Sequence, residues 1–172
     1  MRIVYRYLRP LSVVFVRSTG PYEKSAIDAW SRMLGWLDDN EMRATLDVGI
    51  GFMRDNPSEV GPFLRRYDAC VAVRPGVGPD LAAGIGRQTL PGGAFAAYSH
   101  VGSHVEIPRL FSQLHRDWVP RRGLSVDYGR PFIEIYKSDP AKIAAGERVT
   151  ELLVPVGAVI ERAGTGMDAV AA

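Results

Sequence analysis

An internal repeat constrains the fold of this chain more than any other feature. The segment LRPLSVVFVRSTGPYEKSAIDAW begins at Leu8 and is echoed by LPGGAFAAYSHVGSHVEIPRLF, which begins 82 residues later at Leu90. Two later matches, GFMRDNP with EIYKSDP and YDACVAV with TELLVPV, are displaced by 83 residues. Related units meet at a seam, and ligand clefts form preferentially at such seams. The repeat predicts a single domain with two related halves and a cleft between them.

The repeat also sets the predicted boundaries. A domain is expected over residues 1–157, with a first repeat over about 3–73 and a second over about 85–156. Between them, 74–84 are rich in glycine and proline, as a connecting loop would be. The tail, 158–172, has no counterpart in the repeat and is expected to be poorly ordered.

Each half has the pattern of strands, a helix and two more strands. Apolar residues at helical spacing predict one buried face on each helix. In the first helix they are Ile27, Trp30, Met33, Leu34 and Leu37, and in the second Ile107, Phe111, Leu114 and Trp118. Ser103 and Glu106 have capping-box spacing, and Pro108 places the start of the main second helix near itself.

The strand PFIEIYKSDP carries the main candidate site. Alternation places Ile133 and Ile135 on one face, where they can pack on a helix, and Phe132, Glu134 and Tyr136 on the other. A semi-buried carboxylate between aromatic rings suits an organic cation, through ion pairing and cation–π attraction. The alternative is that Glu134 is a solvent-exposed strand residue.

The equivalent strand of the first half has small or flexible residues at the matching positions. They are Gly49, Gly51 and Met53. Large side chains in one half therefore oppose small ones in the other, and we expect this asymmetry to open room beside Glu134.

Two acids recur at equivalent positions of the closing strands. Asp68 lies in RYDACVAV and Glu151 in ELLVPV. Because an acid repeated in both halves is expected to serve what the halves share, both residues are predicted to support the fold.

Composition and motifs argue against several other functions. The formal charge is only +2, and the arginine doublets at Arg65 and Arg121 are typical of solvated loops, so direct nucleic-acid binding is not expected. Cys70 lies in an apolar run and is predicted to be a buried, inert thiol. The apolar run LLVPVGAVI is too short to cross a bilayer, and the N-terminal segment lacks a signal-peptide core. We expect a cytoplasmic protein with no membrane association.

The histidines do not predict a metal site. His100 and His104 have ligand spacing for a helix, but Gly102 between them marks a turn and no third ligand is near. His115 falls among polar helix positions and is expected to be exposed. No nucleophile signature or phosphate loop is present, so neither a cofactor nor a catalytic residue is assigned.

Taken together, VRSTGPYEKSAIDAW, RYDACVAV, LPGGAFAAYSHVGSHVEIPRLF, PFIEIYKSDP and ELLVPV resemble the gyrase-inhibitor-like (GyrI-like) small-molecule-binding family. This family includes the effector domains of multidrug-sensing regulators of the AraC and MerR classes. The similarity covers about Ile3 to Val156 and implies an α+β fold in which two β-α-β-β units form a pseudo-two-fold antiparallel sheet with two long helices. It also implies that Glu134 meets cationic ligands, with Tyr136 beside it. The second half departs from the family pattern at one turn. It has Gly102-Ser103-His104 where the family usually has Gly-Pro-Tyr, as the first half does at Gly20-Pro21-Tyr22.

The favoured function is small-molecule binding, in which the chain acts as a sensor or sequestering module for hydrophobic, and in particular cationic, organic compounds. The expected binding residues are Glu134, Tyr136, Phe132, Trp118, Tyr22, Gly51 and Met53. Two alternatives stay open. One is hydrolysis of strained cyclopropane-type alkylating compounds by Glu134 and Tyr136, which the resemblance allows, and the other is inhibition of gyrase through an exposed surface. A regulator or gyrase is the expected protein partner.

Overall fold

The computed structural model describes residues 2–43, 46, 48–72, 84–137 and 143–158. The predicted linker apart from Gly84, and the predicted tail apart from Ala158, lie outside these residues. The described strands are β1 (Ile3–Leu8), β2 (Leu11–Thr19), β3 (Gly49–Met53), β4 (Arg66–Ala72), β5 (Ile85–Leu90), β6 (Gly93–Val101), β7 (Leu124–Val126), β8 (Phe132–Tyr136) and β9 (Val149–Ala158).

Two long helical segments accompany the strands. Helix α1 spans Tyr22–Asp39, and α2 spans Ile107–Gln113. A π-helical turn, Leu114–Trp118, extends α2 into a last helical turn, Val119–Arg121. The main second helix therefore begins next to Pro108, as predicted, and the Ser103 hydroxyl accepts a hydrogen bond from the Val105 amide in the entry turn. Proline is well tolerated there because the first amides of a helix have no partner within it.

The strands pair antiparallel in the order β1-β6-β9-β8-β3-β4-β2-β5, and β7 pairs with the outer part of β9. The α+β fold class is thus confirmed. Strand, helix, strand, strand occurs as β2-α1-β3-β4 in the first half and, with the short β7 inserted after the helical segment, as β6-α2-β8-β9 in the second. The central pair joins β3 to β8 with Gly51 opposite Glu134, residues that are themselves 83 positions apart. Superposition of the halves stays a prediction, and Pro140, one of its reference residues, lies outside the described residues.

The edge strands are exchanged between the halves. Strand β1 precedes β2 in the chain but pairs with β6, while β5 precedes β6 and pairs with β2. Only Arg9 and Pro10 separate β1 from β2, and the β1–β6 and β2–β5 pairings keep a single register, so the two ends of the strand order lie side by side where β1 continues into β2. Each half consequently needs the first strand of the other to complete its sheet.

Two equivalent glycines direct the chain from strand into helix. Gly20 and Gly102 have φ angles of 142° and 145°, a conformation that other residues adopt only with strain. Their amides donate to the carbonyls of Arg65 and Arg148, both at 2.9 Å. These turns place the start of α1 and the approach to α2 above the middle of the sheet.

Both helices cover the same face of the sheet. One cluster packs Ala29 and Met33 of α1 on Val14 and Val71, and another packs Leu110 and Phe111 of α2 on strand residues of the second half. Phe132 belongs to the cluster under α2. The opposite face has a third cluster, in which the described residues all come from strands: Val13, Ile50, Phe52, Cys70, Leu90, Phe95, Ala97, Ile133 and Leu153.

Two predictions about side-chain direction are wrong. Ile133 and Ile135 belong to the strand-only cluster, while Phe132 and Glu134 face the helices, because both faces of the sheet are buried and alternation alone does not say which one carries helices. Ile27 is 72% exposed, and the buried face of α1 is carried instead by Ala26, Ala29, Met33, Trp36 and Leu37. Small alanines there let the helix lie close to the strands.

Asp68 and Glu151 both bind cations contributed by other strands. Asp68, with no exposed surface, contacts Arg17 at 2.6 Å and Arg54 at 3.3 Å and accepts a hydrogen bond from Gln88 at 3.0 Å. Because Gln88 lies on the exchanged strand β5, this cluster joins the halves.

Glu151 has an equivalent set of partners. It contacts Arg6 of β1 at 2.7 Å and Lys137 at 3.4 Å. Arg6 and Lys137 occupy the positions that correspond to Gln88 and Arg54, so the same arrangement occurs in both halves. The predicted structural role of the two acids agrees with this geometry.

We expect Asp68→Asn to lower the free energy of unfolding by about 3 kcal/mol, because two arginines lose the buried carboxylate between them. Urea unfolding measures the loss. The matched control is Asp28→Asn: Asp28 is 54% exposed and pairs with Arg32 along α1, so a change of only about 0.3–0.5 kcal/mol is expected. Equal losses in the two variants would contradict a special role for Asp68.

Candidate functional site

A cleft of about 240 Å³ lies over the sheet between α1 and the α2 segment. Both halves contribute to its wall. The first half provides Gly20, Tyr22, Ser25, Met53, Asp55, Pro57, Arg65, Arg66 and Tyr67, and the second provides Pro108, Phe111, Ser112, His115, Arg116 and Phe132. Met53 and Phe132 are register partners at one end of the β3–β8 pair, so the cleft opens at that end. This cleft lies where the repeat predicts one, between the two halves.

The apolar wall consists chiefly of stacked rings. Phe111 of α2 stacks on Phe132 with ring centroids 5.6 Å apart, and His115 packs against the other side of this group, 5.4 Å from Phe132. The His115 Nδ1 lies 3.1 Å from the Tyr128 hydroxyl. Because these contacts bridge α2 and β8, the wall is held from both sides and is largely preformed.

Glu134 lies next to the cleft but is not part of its surface. Its side chain is fully buried, and three tyrosine hydroxyls donate to it. Tyr22 donates to Oε1 at 2.6 Å, Tyr67 donates to Oε2 at 3.0 Å, and Tyr136 also donates to Oε2. Tyr22 and Tyr67 line the cleft, so their rings separate Glu134 from it. A ligand can touch this carboxylate only if Tyr22 moves.

Gly51 gives space to Tyr67 and Glu134 and not to a ligand. A Cβ atom at Gly51 would overlap the Tyr67 hydroxyl and lie 2.9 Å from Glu134 Oε2. The predicted asymmetry between large and small residues is therefore real, but tyrosine side chains fill the space that it creates. The predicted opening beside the carboxylate is wrong for this reason.

The opposite end of the β3–β8 pair is filled. The Trp30 ring covers Gly49, where a Cβ atom would lie 2.6 Å from Cη2. Trp30 also contacts the Tyr136 ring edge-on at 5.3 Å and donates through Nε1 to Tyr67 at 3.0 Å. His104 packs on Tyr136 at 5.2 Å. The two ends of the pair thus differ, and only the Met53–Phe132 end lines the cleft.

Burial dominates the electrostatics of the tyrosine–glutamate cluster. Desolvation raises the pKa of Glu134 above its usual value, and the hydroxyls of Tyr136, Tyr22 and Tyr67 oppose that rise. Burial, together with the nearby carboxylate, raises the pKa of all three tyrosines well above 10.0. The hydroxyls therefore remain protonated donors over the physiological range.

The predicted site residues fall into three groups. Tyr22, Met53 and Phe132 line the cleft. Glu134, Tyr136 and Gly51 belong to the buried cluster behind it, with Gly51 beneath Tyr67. Trp118 lies elsewhere: it contacts Tyr5 at 5.9 Å and the Arg122 guanidinium at 5.2 Å.

Tyr67, Phe111 and His115 were not predicted as site residues. The prediction that His115 is exposed is wrong, since only 4% of its surface is accessible. One feature of the sequence could have identified Tyr67. Strand alternation puts it on the same face as Ala69 and Val71, which is the face under α1. The contribution of α2 depends on its distance from β8, which spacing along the chain does not determine.

A family model described as a GyrI-like small molecule binding domain matches residues 1–157. The sequence is 26% identical, over 121 residues, to DNA gyrase inhibitor 2 of Dickeya dadantii (strain 3937), a match that covers 67% of this chain and 76% of that protein. The C-terminal domain of EcmrR has a TM-score of 0.71 at 17% identity, with 92% of this chain and 98% of that chain covered.

In the structure of EcmrR bound to DNA, the matched region is 58% of the EcmrR chain, at the same TM-score of 0.71. SAV2435, solved with bound tetraphenylphosphonium, has a TM-score of 0.60 at 15% identity, covering 91% of this chain and 94% of that chain. At these identities the structural matches establish a shared fold.

Two further observations bear on the sequence predictions. Among the described residues, no helix combines the length and apolar character needed to cross a membrane. Within the same residues, no three His, Cys, Asp or Glu side chains are grouped so as to hold a metal ion. The cytoplasmic location stays a prediction.

We expect Gly51→Ala to lower the free energy of unfolding by about 2 kcal/mol, since the added methyl group overlaps Tyr67 and crowds Glu134. Gly35→Ala is the control, because Gly35 has open space around it in the middle of α1. That change should instead stabilise the protein by about 0.5–1 kcal/mol through helix propensity. Chemical denaturation of both variants makes the comparison, and an unchanged stability of Gly51→Ala would contradict the close packing at Gly51.

The pH dependence of stability should report the burial of Glu134. A carboxyl group whose pKa is raised on folding stabilises the native state fully below its unfolded pKa, and that contribution is lost as the pH rises through the folded pKa. The difference in unfolding free energy, wild type minus Glu134→Gln, should therefore fall as the pH rises above about 4.5. Urea titrations at several pH values measure it, and Glu147→Gln, the same substitution at an exposed position, is the reference variant. A difference that grew with pH would mean that the hydroxyl donors outweigh burial.

Proposed function

The chain belongs to the GyrI-like small-molecule-binding domain family, and from this premise we propose that it binds a compact, apolar organic molecule in the cleft between α1 and α2. The observation that carries the proposal is the cleft itself, with a preformed wall of aromatic rings and a floor held by the buried tyrosine–glutamate cluster. Aromatic walls bind flat apolar groups through burial and ring contacts. The proposed direct contacts are Tyr22, Met53, Phe111 and Phe132.

The size of the cleft limits the proposed ligand. Small-molecule sites commonly enclose about 300–1,000 Å³, so a cleft of about 240 Å³ fits a compound of two or three fused rings. A bulkier ligand would have to project from the opening or displace Tyr22. We therefore propose a compact aromatic ligand as the best occupant of the cleft as it stands.

The proposed role of Glu134 is to hold the floor of the cleft in place. Its carboxylate orients Tyr22 from α1 and Tyr67 from β4, and both of these rings line the cleft. Direct pairing of Glu134 with an organic cation, the expectation from the sequence, would require Tyr22 to release Oε1. We propose positioning, and not direct ligand contact, as its function.

We further propose that ligand binding serves a sensing or sequestering function. A structural neighbour, EcmrR, has been solved in complex with DNA, and the matched region is one part of that chain. A module of this fold can pass ligand occupancy to a partner through α1 and α2, which both line the cleft. Contact of such a partner with nucleic acid would not require this domain to touch DNA.

Of the two alternatives, the gyrase-inhibitor function has the more specific support, in the name of the Dickeya dadantii relative. It would use an exposed surface, so a supercoiling assay with purified gyrase tests it independently of the cleft. Hydrolysis is less well supported, because Glu134 is fully buried and already accepts three hydroxyl donors. Activation of water by this carboxylate would first require its hydrogen bonds to break.

A bulky substitution in the cleft should abolish binding. Ser112 lies on the cleft wall in α2, so Ser112→Trp fills the space and is expected to weaken binding of a naphthalene-sized compound at least about tenfold, the loss of about 1.4 kcal/mol of contact. Calorimetric titration measures the affinity and circular dichroism checks the fold. The control is Ser31→Trp on the exposed side of α1, which should bind like the wild type. Unchanged affinity in a folded Ser112→Trp protein would reject the cleft as the binding site.

A further inference from the structure

We propose that the cleft prefers an aromatic anion, such as an arene carboxylate, over neutral and cationic compounds of the same shape. This inference rests on the proposed function and specifies its ligand class. It opposes the cationic ligand expected from the sequence.

Four charged side chains line the cleft, and they do not balance. Asp55 is the single carboxylate among the lining residues, and Arg66 binds it with contacts of 2.5 to 3.1 Å. Within the described part of the chain, Arg65 donates to the neutral carbonyls of Val60 and Pro57, both at 2.8 Å, and to no carboxylate. Arg116 is exposed on the π-helical turn that follows α2, at the opposite side of the cleft. Among the described residues that line the cleft, three arginines against one aspartate leave an excess of two positive charges, and the two arginines not paired with that aspartate come from different halves of the chain.

The buried acid does not reverse this sign at the cleft surface. Even a fully ionised Glu134 would offset only one of the two excess charges. Its oxygens accept hydrogen bonds from Tyr22 and Tyr67, which line the cleft while Glu134 does not, so a ligand meets these two tyrosines first. Among the lining residues that the structure describes, an organic cation would therefore meet arginines and one carboxylate, Asp55, which Arg66 already binds.

Neighbouring groups set the expected size of the preference. Burial lowers the pKa of His115, so this residue adds no positive charge near neutral pH. Glu59 and Asp117 act electrostatically on Tyr128 and His115 from outside the cleft lining and oppose the arginines. Since the arginines are also partly solvated, we expect a preference of about tenfold between an anion and a cation, and not a larger factor.

Three compounds of nearly equal shape test the inference: 2-naphthoate, 2-naphthamide and 2-naphthylmethylammonium. Calorimetric titration should give the order anion, neutral compound, cation, with about tenfold between the ends of the series. Arg116→Gln should reduce this ratio about threefold, while Arg121→Gln, an equal charge change outside the cleft, should leave it unchanged. Raising the salt concentration from about 0.02 M to about 0.5 M should compress the series, because exposed charges are screened.

The outcomes separate this inference from the proposed function. If the cation binds as tightly as the anion, and Ser112→Trp abolishes both, the cleft binds ligands but the charge preference is wrong. An anion preference that Arg121→Gln reduces as much as Arg116→Gln would also overturn it, because the preference would then follow net charge. If none of the three compounds binds at millimolar concentration, the proposed function fails and this inference fails with it.

Discussion

The burial of the Glu134 carboxylate is the constraint on which the arrangement of this protein depends. A buried charge without partners is prohibitively unfavourable, so the fold must bring hydrogen-bond donors to it. These donors come from three elements, namely α1 through Tyr22, β4 through Tyr67 and β8 through Tyr136. Gly51, directly opposite in the sheet, leaves the space that Tyr67 occupies. One carboxylate thereby fixes the position of a helix, the register of the central strands and the floor of the cleft.

The opposite face of the sheet buries two further acids, which also need partners. Asp68 and Glu151 are buried in equivalent strands, and each is neutralised by partners from neighbouring and exchanged strands. Because Gln88 and Arg6 come from β5 and β1, these clusters connect each half to the strand supplied by the other. These links join the two halves into one cooperative structure. The cleft between the halves can therefore remain open while the halves stay together.

The proposed function depends on the difference between the two ends of the central strand pair. Trp30 and Tyr136 fill one end, whereas Met53 and Phe132 leave the other open beneath α2. In this member of a small-molecule-binding family, the cleft is compact and aromatic and has arginines around it. The buried acid, Glu134, lies behind tyrosine rings. The fold supplies the cleft, and the side chains of this chain set which ligands can enter it. Small changes in charge around the opening can therefore alter ligand choice without disturbing the buried cluster.

The amino-acid sequence by itself determined the order of elements, the equivalent positions of Asp68 and Glu151, and the location of Glu134 on a strand face with Phe132 and Tyr136, because local periodicity and the repeat are enough to show them. It also predicted Tyr22, Met53 and Phe132 as site residues, and these three line the cleft. It did not determine which sheet face carries the helices, since both faces are apolar and alternation is the same for either. Nor did it show that Tyr67 fills the space at Gly51, that His115 is buried, or that Trp118 lies away from the cleft. Those facts depend on distances between elements far apart in the chain, and only the tertiary structure sets them, because packing against a distant neighbour decides whether a side chain lines a cleft, closes it or faces solvent.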